Sequence, residues 1–167
     1  MERLSEITCY YISFLRALAL IHQSHHWLTR GKNFYGNHLL LDRIYKSAAE
    51  NSDLAAEKLI GIFGDDSLEL PLHAEYMHKL LEKFSSGEPI STSLLAEKKF
   101  LELSQKFYDA LKKADKMTLG LDDMIMAIAS QREEAVYLLG QVEKTASNKD
   151  LKTAARKLFL NRIIKKQ

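Results

Sequence analysis

The sequence predicts an all-α protein built as a four-helix bundle, and three observations carry that reading. Apolar residues recur at three- and four-residue steps over four long stretches. The two prolines, Pro71 and Pro89, both fall in one short middle region, so the flanking stretches contain no strong breaker. The link between the second and third stretches is about 27 residues, long enough to cross a bundle from end to end. At 167 residues the chain can bury a proper core, and 46% hydrophobic with 28% charged residues fits a soluble, globular class.

The first helix is expected over 2–29, where Leu4, Ile7, Tyr11, Phe14, Leu18, Ile21 and His25 form one stripe. His22 and His25 complete its core side. Gly31 and Gly36 bracket a turn, RGKNFYG. The second helix is expected over 37–63, with Leu41, Ile44, Ala48, Ala55, Leu59 and Ile62 buried and Gly64 as its C-cap. A short connecting helix opens at Pro71 and runs to about residue 84. Ser91 to Ser93 offer N-caps for the third long helix, which extends to about Lys116. The fourth runs from Leu121 to Lys144, with Ile125, Ile128, Ala135, Leu138 and Val142 as its apolar positions. Ser147 and Asn148 are expected to break it, leaving a last basic helix over 149–164. The domain reading is therefore a bundle over 1–147 and a basic C-terminal segment over 148–167. One long crossover carrying its own short helix is the topology of ferritin-like bundles.

Charge is divided unevenly. Residues 148–167 carry Lys149, Lys152, Arg156, Lys157, Arg162, Lys165 and Lys166 against Asp150, a net +6, so the rest of the chain carries −4 of the overall +2. That layout suits contact with a polyanion such as DNA, and equally a solvated or packed helix. No apolar run is expected to approach the ~20 residues needed to span a bilayer, and no signal-peptide pattern is expected at the N-terminus. The lone Cys9 excludes an internal disulfide and points to the cytoplasm.

The chemistry is concentrated in residues 22–57, which hold four of the six histidines. His26 ends the first helix and His38 opens the second, so the hairpin brings both imidazoles to one place. Taking His38 as zero at 100° per residue, Asp42, Asp53 and Glu57 fall at about 40°, 60° and 100°, on one face expected to lie beside the buried stripe. His38 and Asp53 are nevertheless roughly 22 Å apart along the axis, whereas metal–ligand bonds are about 2 Å. If these groups act together, one chain supplies His26, His38 and Asp42, and a second, antiparallel across a two-fold axis, supplies Asp53 and Glu57. Two imidazoles and three carboxylates suit iron(II), zinc or manganese, and the oxygen ligands favour the harder iron(III). The same carboxylates also fit a solvated helix face, and spacing leaves both readings open.

The run HHWLTRGKNFYGNHLLLDRIY resembles the signature of the Dps family, the DNA-binding proteins from starved cells, which are miniferritins of the ferritin-like superfamily. Those proteins have a His-Trp pair, a Gly turn with Asn-Phe, a His, an Asp four residues on, and further along an Asp with a Glu at i+4. Here His26-Trp27, Gly31, Asn33-Phe34, His38, Asp42, Asp53 and Glu57 match without a gap. The resemblance is strong over 22–64 and compatible in helix order over 1–147. It implies a hollow shell of twelve subunits with ferroxidase sites at two-fold interfaces. There iron(II) would be oxidised to iron(III), typically by hydrogen peroxide, and the ferric product stored as mineral, limiting hydroxyl-radical damage. It also implies His26, His38 and Asp42 as one subunit's half of the metal site and Asp53 and Glu57 as the partner's, with Trp27 packed beside the site or serving as plain core or interface; the donor set would also take zinc as a surrogate metal. Asp123, and less so Asp122, would line a pore through which iron enters.

Three departures bear on these expectations. Leu39 stands where the family often has Glu, and Tyr137 where a Trp is common. No counterpart to the family's lysine-rich N-terminal arm is expected, so DNA contact, with nucleoid association, would fall to 148–167. The alternative to the enzyme is therefore a non-enzymatic, DNA-compacting shell that uses this basic segment. Glu75-x-x-His78 has the form of a di-iron ligand motif, but it occurs once, on the connecting segment, and reads as surface.

Overall fold

The structure is a computed structural model that describes the backbone of residues 2–164 and the side chains of residues 4–145. Among the described residues five α-helices follow one another: α1 (Glu2–Leu28), α2 (Phe34–Phe63), α3 (Leu70–Lys83), α4 (Pro89–Lys113) and α5 (Leu119–Ile164), with a 3₁₀ turn at Asp65–Ser67. The four long helices form the bundle, and α3 lies within the α2–α4 crossover, packed on α1. The all-α class, the bundle and its short crossover helix are as the sequence predicts.

Most of the core is one cluster running through all four long helices. Tyr11, Leu15 and Leu18 of α1 meet Ala55 and Leu59 of α2, Phe100 and Phe107 of α4, and Leu121 and Ile128 of α5. Aromatic rings set its density: Tyr11 stacks on Phe107 with centroids 4.5 Å apart, and Phe14 meets Phe100 edge-on at 5.6 Å. A smaller apolar cluster, including Leu41, Ile44, Leu94 and Leu139, closes the end of the bundle near the α1–α2 hairpin.

Several boundaries differ from expectation, each for a local reason. The second helix begins at Phe34 rather than Asn37, because Gly31, at φ +91°, completes the turn alone and leaves Gly36 inside α2. The third long helix begins at Pro89, not at the serines. The Glu88 carboxylate accepts hydrogen bonds from the Ile90 and Ser91 amides at 2.9 and 3.1 Å, and proline's fixed φ suits the first turn. Ser93 is thereby freed for the interior.

The expected break at Ser147 and Asn148 does not occur. Helix α5 runs unbroken from Leu119 to Ile164, so the basic segment continues it instead of forming a helix of its own. Ser and Asn each disfavour a helix by less than about 1 kcal/mol and, unlike proline, remove no hydrogen bond. The seven basic side chains from Lys149 to Lys166 lie outside the described residues. A further correction concerns α1, whose Leu4–Leu28 is long and apolar enough, by length and composition, to cross a membrane. In the bundle Tyr11, Leu15 and Leu18 of that helix are fully buried in the core.

Candidate metal centre

The α1–α2 hairpin positions the two histidines. His26 lies in the last turn of α1, and His38 lies one turn into α2. Their rings stack with centroids 3.7 Å apart and planes 22° from parallel. Each ring also holds the other residue's backbone: His26 Nδ1 lies 2.9 Å from the His38 carbonyl oxygen, and His38 Nδ1 lies 3.0 Å from that of His26. A carbonyl oxygen only accepts, so both Nδ1 atoms carry hydrogen and donate. In the neutral rings both Nε2 lone pairs then remain for a metal, which is the tautomer that metal-binding histidines need. His38 also caps one of the carbonyls that the end of α1 leaves unpaired. Phe34 stacks on the outer face of His38 at 5.1 Å, and Tyr45 stands edge-on to His26 at 5.6 Å.

Asp42 lies one turn beyond His38, half-buried, and accepts a hydrogen bond of 2.7 Å from Lys46 at i+4. That hydrogen bond, with the lysine charge behind it, holds the Asp42 carboxyl below the usual carboxylate range. Asp53 and Glu57 sit further along α2, both exposed, on the side away from its buried stripe of Leu41, Ile44, Ala48, Ala55 and Leu59. Among the described residues of one chain, no three His, Cys, Asp or Glu side chains come close enough to hold a metal ion. One chain thus brings His26 and His38 together, keeps Asp42 on Lys46, and leaves Asp53 and Glu57 apart from them.

The surroundings are apolar and uncovered. Trp27 is 60% exposed and Tyr35 72%, beside exposed Leu28, Phe34 and Leu39. Trp27 is therefore not core within one chain. Tyr137 is also exposed. At the start of α5 Asp123 is exposed, while Asp122 is half-buried with one carboxylate oxygen unpartnered. Glu75 and His78 are exposed on α3.

A second polar constellation, inside the bundle, was only partly foreseen. His22 and His25 are buried as expected, at 0% and 4% exposure. Their partners are Ser93, Glu97 and Arg132. Both histidines reach the Ser93 hydroxyl through Nδ1, at 3.1 and 2.7 Å, and His22 Nε2–H donates to Glu97 at 2.9 Å. Arg132 donates to the same Glu97 oxygen at 3.1 Å and to the Ser47 hydroxyl. This layer separates the two apolar clusters along α2, α4 and α5. The signal was present in the sequence: Arg132 occupies a buried step between Ile128 and Ala135, and Glu97 lies one turn before Phe100 and after Leu94.

No protein-family model matches the chain, and no curated protein matches it. A solved crystal structure does: that of Dps from Thermosynechococcus elongatus, with a TM-score of 0.71 at 15% identity, over 84% of this chain and 90% of that one. The shared feature is the fold, a ferritin-like four-helix bundle.

Proposed function

We propose that this protein is a ferroxidase and iron store of the Dps kind, with iron(II) as its substrate. The observation that carries the reading is the reciprocal His26–His38 pair, which fixes both Nδ1 atoms and leaves both Nε2 atoms as metal donors. The motif spacing over residues 22–57 and the ferritin-like fold agree with it.

In this reading His26, His38 and Asp42 of one chain face Asp53 and Glu57 of a second chain across a two-fold axis. The distance along α2 requires that division. The exposed apolar surface of Trp27, Leu28, Phe34, Tyr35 and Leu39 around the histidines supports it, since a second copy would cover that surface. Two equivalent sites then form per pair of chains, and repetition of such pairs would build a hollow dodecamer.

Two iron(II) ions bound at one such site each give up one electron to hydrogen peroxide. The O–O bond takes both electrons and, with two protons, leaves as two waters. Passing both electrons together avoids hydroxyl radical. The imidazoles hold iron(II), and the carboxylates stabilise the harder iron(III). Lys46 neutralises Asp42 before iron arrives and yields to the incoming cation. Asp123 and Asp122, at the start of α5, are proposed to guide iron inward. Zinc would occupy the same donors as a redox-inert surrogate, and the site belongs in a cytoplasmic protein.

Stopped-flow oxidation of iron(II) by peroxide tests the reading. Wild type should show fast, peroxide-dependent oxidation, and Asp53→Ala/Glu57→Ala should fall to the uncatalysed rate. Equal rates would overturn it and favour a non-enzymatic shell that compacts DNA through the basic end of α5. A particle mass near twelve 19.1-kDa chains is expected alongside.

A further inference from the structure

Another face of α2, turned toward α5, carries chemistry that the iron reading leaves unused. A cleft of about 200 Å³ opens between α2 and α5, lined by Arg43, Ser47, Gln131, Arg132 and Glu134 among others. Counting hydrogens shows what this cleft offers. Arg132 donates to the Ser47 hydroxyl, so the Ser47 hydrogen goes to Gln131 Oε1, at 3.1 Å. Asn51 Nδ2 donates to the same Gln131 oxygen at 2.9 Å. With its carbonyl oxygen doubly engaged, Gln131 keeps its amide N–H groups for other acceptors.

Arg132 is 1% exposed, and its Nε–H has no partner among the described residues, although its other two nitrogens are engaged. An unpaired guanidinium N–H just beneath a cleft is costly unless something completes it. Arg43 stands at the rim, paired with Glu134, with the two side chains 64% and 52% exposed. A pair so exposed is weak, which leaves Arg43 free to change partners. The Glu97 charge behind Arg132 is shared with His22 and lies on the interior side. The donors at the cleft are therefore Arg132 Nε–H, the Gln131 amide and the Arg43 guanidinium. One acceptor behind them, Asn51 Oδ1, is also buried and unpartnered.

We propose that the α2–α5 cleft binds a small oxyanion of the phosphate class through Arg43, Gln131 and Arg132. Guanidinium groups match oxyanions in geometry as well as charge. Because a water's share of liquid is about 30 Å³, the cleft has room for such an ion and a few waters. The anion replaces Glu134 on Arg43 and completes Arg132. Arg43, exposed and only weakly paired, is the side chain that moves to uncover Nε. None of these residues belongs to the histidine–carboxylate face, so the proposal stands apart from the iron reading.

Titration of the metal-free full chain with inorganic phosphate, at constant ionic strength, is the test, read by calorimetry and phosphorus NMR. One saturable equivalent per chain is expected. Arg43→Ala and Gln131→Ala, both at exposed positions, should each weaken binding by about tenfold. Absence of saturable binding, or equal binding by wild type and both variants, would overturn the proposal. So would equal responses to phosphate and chloride, which would mean screening alone.

Discussion

Arg132 of α5 and Glu97 of α4 form an ion pair of 3.1 Å in the bundle interior, with side-chain exposures of 1% and 0%. Burial makes this pair asymmetric in its consequences. Desolvating both charges offsets most of their attraction, so the intact pair adds little net stability. Losing one partner leaves the other charge buried with only a neutral hydrogen-bond partner, His22 for Glu97 and Ser47 for Arg132. Glu97→Ala should therefore destabilise the chain by about 3–5 kcal/mol, and Arg132→Ala by a similar amount. Replacing both by apolar residues of similar size should cost much less than either single change. Urea unfolding of the three variants checks this. Additive losses would mean that the two residues do not interact energetically.

Another histidine of the same polar layer, His25, sets a pH dependence. Burial, with the neighbouring His22 second, pushes the His25 pKa down to about 4 from an ordinary 6.5. The folded chain thus binds this proton less readily than the unfolded chain. Its contribution is fully present above pH 6.5 and is lost as pH falls from there toward 4. The span corresponds to about 3 kcal/mol at most. Ser93 and His22 face the same ring, so His25→Gln, which keeps a hydrogen-bonding group toward Ser93, is the useful control. Urea midpoints of wild type should drop between pH 7 and pH 4.5, and the drop should shrink in His25→Gln. Parallel pH profiles would assign the dependence to another group.

Lys46 competes with metal for Asp42. The 2.7 Å contact occupies a carboxylate oxygen, and its hydrogen bond holds that carboxyl below the usual range. Lys46→Met keeps the side chain's apolar length on α2 and removes the competing cation. Affinity for zinc, measured by chelator competition on the metal-free protein, should rise by on the order of a few-fold, the scale of an exposed pair. Unchanged or weaker binding would remove Asp42 from the ligand set.

How much of this was legible in the sequence depends on which physical force sets each feature. The bundle was legible because the apolar stripes of α1, α2, α4 and α5 repeat over many turns, and burial dominates folding. Helix ends were less so, since they rest on small terms. The carboxylate of Glu88 outcompeted the serine caps, and Ser147–Asn148 proved too weak to stop α5. The His26–His38 juxtaposition followed from the hairpin. Its reciprocal lock on two backbone carbonyls did not, because spacing carries no ring orientation. Glu97 and Arg132 interrupt apolar stripes at single positions, and one charge per stripe is easily read as a solvated edge. Only the fold shows the two charges meeting each other and the histidines of α1.

The division of the metal site between two chains makes a quantitative prediction. Let one variant, His26→Ala/His38→Ala, lack the histidine half, and another, Asp53→Ala/Glu57→Ala, lack the carboxylate half. Each alone should be inactive. In a pair formed from one of each, the intact histidines of one chain face the intact carboxylates of the other, and the second site lacks both halves. Random assembly of equal amounts makes half of all pairs mixed, and each mixed pair has one working site of two. Co-expression should therefore restore about a quarter of the wild-type oxidation rate, by the geometry of an isologous pair. Mixing preformed assemblies of the two variants should restore nothing unless subunits exchange. A site contained within one chain would give no recovery under either condition. That outcome would overturn the two-chain reading, which rests on the roughly 22 Å separation along α2.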